Sequence, residues 1–208
     1  MASRATMVRL SLALLVLAGW ALAASPAMAQ AGVPCPASGV SVTRSNGTTV
    51  RYMGPDPSDP NLCLSTVNGT PSRLLFSLFG VPPNMPPGVV ADAHTALSTV
   101  LAGSAGTQAS FTTRMLDNGY MSPTGQVQWR ITCVNQGTDP VTVGGTTYQA
   151  IKVQRDTAVT TVGRGVAYHS VSHSWIDPKT GVVLKYDYHV IAGSAPPVQP
   201  WVATAITL

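Results

Sequence analysis

The chain contains no glutamate, and all eight acidic groups among its 208 residues are aspartates. Asp56, Asp59, Asp139 and Asp177 each precede a proline, and Asp117 precedes Asn118-Gly119, settings in which a short carboxylate closes a turn. Asp92 stands where a helix is expected to begin. Asp156 and Asp187 are left without such a job, too few and too far apart for a glycosidase carboxylate pair or the oxygen cage of a hard cation. Charge of either sign is scarce at 10% of residues, with no basic cluster on the scale that nucleic acid binding demands. Also missing are a phosphate-cradling glycine loop with its lysine, a paired-cysteine motif, a helical His-Glu-x-x-His and Gly-x-Ser-x-Gly. These absences argue against a familiar enzyme, and no cofactor or metal is expected.

One long apolar run exists, Leu10 to Ala24, preceded by Arg4 and Arg9 and followed by Ala27-Met28-Ala29. It falls short of the roughly 20 residues of a spanning helix. Residues 1–29 therefore read as a secretory signal peptide of bacterial type, and the expectation is a periplasmic or secreted protein with no transmembrane segment once the signal is removed. Residues 30–208 are expected to form a single exported β-rich domain, with ten basic and eight acidic residues, net +2. Gly32-Val33-Pro34 ahead of Cys35 is a poor context for lipid attachment.

All three cysteines lie in the exported part. Cys35 and Cys63 flank an early hairpin, and an oxidising compartment lets them bridge. Cys133, in VQWRITCV, alternates onto one face with Val127, Trp129 and Ile131, and reads as a buried, inert thiol.

Residues 39–53 hold two β-rich runs joined by Asn46-Gly47, a strong hairpin signal. Asn46-Gly47-Thr48 and Asn68-Gly69-Thr70 match the glycosylation acceptor pattern but read better as turns. GPDPSDP, residues 54–60, and GVPPNMPPG, residues 80–88, are expected to be rigid proline loops, with SRLLFSLF between them as one buried strand. Val90, Ala93, Leu97, Val100 and Leu101 fall at helical spacing, placing one helix at about 89–102, with Asp92 near its start, Gly103 as its stop and His94 packed beside its stripe. Beyond residue 107 the pattern is β: seven runs, broken by Asp117-Asn118-Gly119, Gly137-Thr138-Asp139-Pro140, Gly144-Gly145 and Gly163-Arg164-Gly165. The expected fold is mainly β, of the α+β class: a curved antiparallel sheet or half-barrel with one helix.

In HSVSHSWIDPKTGVVLKYDYH, residues 169–189, Pro178 and Gly181 suit a tight hairpin. If Asp177 pairs with Val182, then Trp175 faces Leu184, His173 faces Tyr186, Val171 faces Tyr188 and His169 faces Val190, all on one side. A slip by one residue would set the aromatic row against Lys185 and Asp187. His169 and His173, four residues apart on a strand, are separated by roughly 13 Å, too far to share an ion. On the other side Ser170 lies across from His189 with Asp187 beside it, a hydrolytic trio in composition that has no nucleophile elbow or oxyanion hole.

The segment Trp175-Ile176-Asp177-Pro178-Lys179-Thr180-Gly181-Val182-Val183-Leu184-Lys185 resembles a strand-turn-strand seen in exported bacterial half-barrel proteins, the lipoprotein-carrier-like group. The resemblance implies a curved antiparallel sheet with a helical lid over an apolar face that holds acyl chains. The leading functional expectation is a non-catalytic binding module for an apolar or lipid-like ligand, with Trp175, Tyr186 and Tyr188 lining a groove and His169 and His173 at its edge. The second is a secreted or periplasmic interaction component that recognises an envelope protein through its proline loops. The third is a hydrolase using Ser170, His189 and Asp187. An outer-membrane barrel is disfavoured by the helix, the prolines and the non-aromatic final residue Leu208.

Overall fold

The computed structural model describes residues 32–83, 85–116, 126–161, 166–195 and 197–207. The signal peptide, the Asp117-Asn118-Gly119 turn and the Gly163-Arg164-Gly165 turn expected from the sequence lie outside the described residues. Among the described residues eleven strands and one helix follow in the order β1 Ser41–Arg44, β2 Thr49–Asp56, β3 Asp59–Val67, β4 Thr70–Leu75, β5 Phe79–Gly80, α1 Pro87–Ala102, β6 Gln108–Leu116, β7 Gln126–Val143, β8 Thr146–Thr161, β9 Val166–Ile176, β10 Val183–Gly193 and β11 Trp201–Thr207. They form one sheet, ordered β5-β4-β3-β2-β1-β11-β10-β9-β8-β7-β6, with every neighbouring pair antiparallel. The mainly β fold with one helix is as expected, and the sheet is open, with β5 and β6 at its two ends.

Every link between successive strands but one joins sheet neighbours. The exception runs from β5 through α1 to β6, from one end of the sheet to the other, while β11 pairs with β10 and also with β1, joining the two halves. The sheet curls strongly: Val42 and Val50 of β1 and β2 share a buried cluster with Val141, Val143 and Ala150 of β7 and β8, although four strands lie between β1 and β7 in the order. A second cluster packs Leu62 and Leu75 from one arm, and Ile131, Val153 and Ile176 from the other, around the Ala93, Leu97, Val100 and Leu101 face of α1. Burial of this apolar stripe, not an N-terminal cap, holds the start of the helix: Pro86 and Pro87 open it with no side-chain cap.

Several turn readings are confirmed in detail. Gly47 takes φ 81° in the β1–β2 hairpin, and Asn68 and Gly69, at φ 48° and 84°, make the two-residue turn between β3 and β4. Cys35 and Cys63 are bridged, with a separation of 28 residues. Cys133 is buried, and burial pushes its thiol up to about 11.

Others are corrected. Residues 54–60 are no loop: Asp56 pairs with Asp59 across a two-residue turn, because the Asp56 carboxylate accepts from Ser58 N and Oγ at 2.8 and 2.7 Å and stabilises the bend locally. SRLLFSLF is not one strand but turns at Phe76 and Ser77, which take φ 49° and 58°. Residues 137–140 stay inside β7, where a bulge between Asn135 and Thr138 absorbs the glycine and Pro140 pairs with Gln149. The two runs TTYQAIKVQ and TAVTTV are one strand, β8. Asp92 is the sixth residue of α1, beyond its first turn, whereas Gly103 does stop the helix, in an extended conformation at φ −82° directly after Ala102.

Candidate functional site

The β9–β10 hairpin closes as expected: Asp177 N donates to Val182 O at 2.9 Å and Gly181 N to Asp177 O at 2.8 Å. Val183 then pairs with Ile176. A bulge at Leu184 shifts the register by one, so that Lys185 pairs with Trp175, Asp187 with His173 and His189 with Val171, and a second bulge sets Ala192 against His169. This corrects the expected register. The reason lies in the core: Leu184 is fully buried in the cluster that holds Trp175, so two successive residues of β10 serve one position of β9.

The five expected groove residues are thereby divided. Trp175, His173 and His169 lie on the outer face with Lys185, Asp187 and His189, whereas Tyr186 and Tyr188 share the helix-facing side with Ser174, Ser172 and Ser170. Ser170 and His189 point to opposite sides, so the hydrolytic trio is not assembled. On the outer face the side chains pair off. His169 Nε2 lies 2.9 Å from Asp156 Oδ2, and His173 Nδ1 lies 2.8 Å from Asp187 Oδ1, giving the two unassigned aspartates their partners. Trp175 Nε1 donates to Asp139 Oδ2 at 2.7 Å, and Lys152 and Lys185 stand 5.1 and 4.2 Å from its ring. Tyr186 stacks on Trp201 at 6.3 Å, and the Arg44 guanidinium covers the indole at 3.8 Å.

The larger cavities lie elsewhere, on either side of the segment Val81-Pro82-Pro83 that leads into α1. On one side, over the face of β2, β3 and β4 that carries Leu64 and Arg73, is a cleft of about 650 Å³ walled by Met53, Leu64, Pro71, Val81 and Pro82. Met53 is 51% exposed at its rim. On the other side, toward the helix, is a hollow of about 370 Å³ that includes Asn61, Met85, Val90 and His94. The His94 ring stacks on Phe76 at 4.9 Å.

Arg73 borders both cavities, and its Nε donates to Asp56 Oδ2 at 2.8 Å. Ser58 Oγ and N hold the Asp56 carboxyl below the usual carboxylate range; burial opposes them and Arg73 adds to the lowering. Asp56 and Arg73 thus satisfy each other, Ser65 Oγ in the cleft wall is buried without a partner among the described residues, and most of the remaining wall is apolar. Asp56 serves the turn expected of it, but nothing local in the sequence shows that it also pairs with Arg73 beside a cleft.

No family model matches the chain. No curated protein matches it significantly. A solved structure of a Bacteroides fragilis protein with a YmcC-like fold aligns at 10% identity with a TM-score of 0.39, covering 86% of this chain and all of that one.

Proposed function

We propose that the protein is an exported, non-catalytic binding module whose cleft between β2–β4 and Val81-Pro82-Pro83 takes an apolar, lipid-like ligand. The cleft carries this reading: about 650 Å³ lies within the span of small-molecule sites, and its walls include Met53, Leu64, Val81 and Pro82. Met53 at the rim is an adaptable, exposed side chain suited to close over a flexible chain. Prolines on one wall keep the cleft open without a ligand, because their backbone is already restricted. The Cys35–Cys63 bridge suits an oxidising compartment, in keeping with the signal-like first 29 residues.

The test is native mass spectrometry of protein exported with its own leader and purified without detergent. A co-purifying lipid is expected, lost in Met53→Asp and Val81→Asp and kept in Tyr188→Asp. Retention in the first two with loss in the third moves the site to the helix-facing tyrosines; ligand-free spectra that stay unchanged when oleate is added end the proposal.

A second reading, recognition of an envelope protein, rests on one observation: Val81-Pro82-Pro83 walls both cavities and so presents a stiff ridge between two depressions. Crosslinking from position 83 in native envelopes to one abundant protein, with no lipid bound, favours it.

A further inference from the structure

The two ends of the sheet are built differently. At one end the edge strand β5 is two residues long, and β4 beside it carries Pro71. Short edges and prolines are the usual protections against strand addition. At the other end β6 runs for nine residues in unbroken register with β7, from Gln108↔Val134 to Leu116↔Gln126, with no proline, no bulge and the single charge of Arg114. Among the described residues nothing pairs with its outer side.

Beside that edge lies a hollow of about 320 Å³, walled by Asp92, Thr95 and Ala96 of α1 and by Ala109, Ser110 and Phe111 of β6. Three consecutive residues of β6 line it, so it meets the strand along its backbone. Ala109 and Phe111 face the helix side, whereas Ser110 points to the other face, where its Oγ lies 2.9 Å from Thr132 Oγ1. Thr95 Oγ1 is committed to Ala91 O at 2.9 Å, while the Asp92 carboxylate is exposed at one end of the groove.

We propose that the groove between α1 and β6 docks an extended segment of a partner protein, added to the sheet as a twelfth strand, with one apolar side chain between Ala96, Ala109 and Phe111 and a lysine or arginine beside Asp92. The backbone donors and acceptors of an edge are satisfied in series only by another extended backbone, which selects a polypeptide. The small side chains of Ala96 and Ala109 leave depth for the apolar residue, and Asp92 sets the charge of its neighbour. A second copy of this chain fits poorly. α1 packs chiefly on β6, and paired strands lie about 4.8 Å apart, whereas packed helices need about 8–10 Å, so the two α1 helices would collide over the joined edges. The partner segment therefore comes without a helix of its own.

The probe is a panel of fluorescein-labelled ten-residue peptides alternating valine or leucine with threonine and carrying one lysine, titrated by anisotropy. Micromolar binding is expected, weakened about tenfold or more by N-methylating alternate peptide amides, by Thr95→Trp, which fills the groove from an exposed position, and by Asp92→Lys. Amide exchange in β6 should slow on binding. No binding by any peptide, binding indifferent to N-methylation, or a β6-mediated dimer in sedimentation that Thr95→Trp dissolves would each overturn the proposal. The result is independent of the lipid cleft, which Thr95→Trp and Asp92→Lys leave intact.

Discussion

Asn135 Nδ2 donates to the carbonyl of Val100 at 3.0 Å, and also to Gly103 O at 2.9 Å, so a residue of β7 closes the C-terminal end of α1. Asn135 is itself buried, and its Oδ1 accepts from Gly137 N at 2.7 Å across the bulge. The bulge that interrupts β7 is thus the device that aims an amide at the last turn of the helix, whose carbonyls have no intrahelical partner.

Replacing that amide leaves buried carbonyls unpaired. Asn135→Ala should cost roughly 2–3 kcal/mol, read as a lower urea midpoint with an unchanged slope. A loss below about 0.5 kcal/mol would show that water replaces the amide.

Gly181 ties the β9–β10 turn to the disulfide segment. It takes φ +71°, and a Cβ there would lie 1.9 Å from Pro34 O, next to Cys35. Gly181→Ala should destabilise by roughly 1–3 kcal/mol. In a double-mutant cycle the penalty should shrink when Cys35 and Cys63 are both serine, because the released segment can move away. Full additivity would mean that the strain is confined to the turn.

Acid should weaken the β2–β3 turn. The Asp56 carboxyl is more acidic folded than unfolded, so its contribution is complete above the ordinary carboxylate range, about pH 4, and disappears as pH falls through the lower folded value. Wild type should exceed Asp56→Asn in stability at pH 7, with the gap closing on acidification. A gap that widens toward low pH would reverse the assignment.

Cys133, 1% exposed with its thiol held at about 11, should resist iodoacetamide at pH 8. Only about one molecule in a thousand would carry the thiolate. Mass spectrometry should find the native protein alkylated at this position at least about 100-fold more slowly than the urea-unfolded chain.

Where a local rule governs a feature, the reading from sequence holds: Asn46-Gly47 and Asn68-Gly69 turn because few other residues adopt those backbone angles, and the spacing of Val90, Leu97 and Leu101 permits one helical face. The β9–β10 hairpin shows the limit. Its turn was legible, but its register below the turn was not, since the bulge at Leu184 follows from packing against Trp175 within a cluster drawn from β1, β2, β7 and β11. The division of the five candidate site residues between two faces follows from that one inserted residue.

By itself, then, the sequence determined the class of fold, the helix, the Cys35–Cys63 bridge and most turns, because each depends on residues close in the chain or on a period along it. Tertiary structure alone decided where β11 inserts, how Asn135 meets α1 and how Val81, bonded to Arg73 O, and Pro82-Pro83 wall a cleft with β2–β4. These are contacts between distant segments, selected by complementary volume and by the need to pair buried polar groups, and no local pattern encodes either.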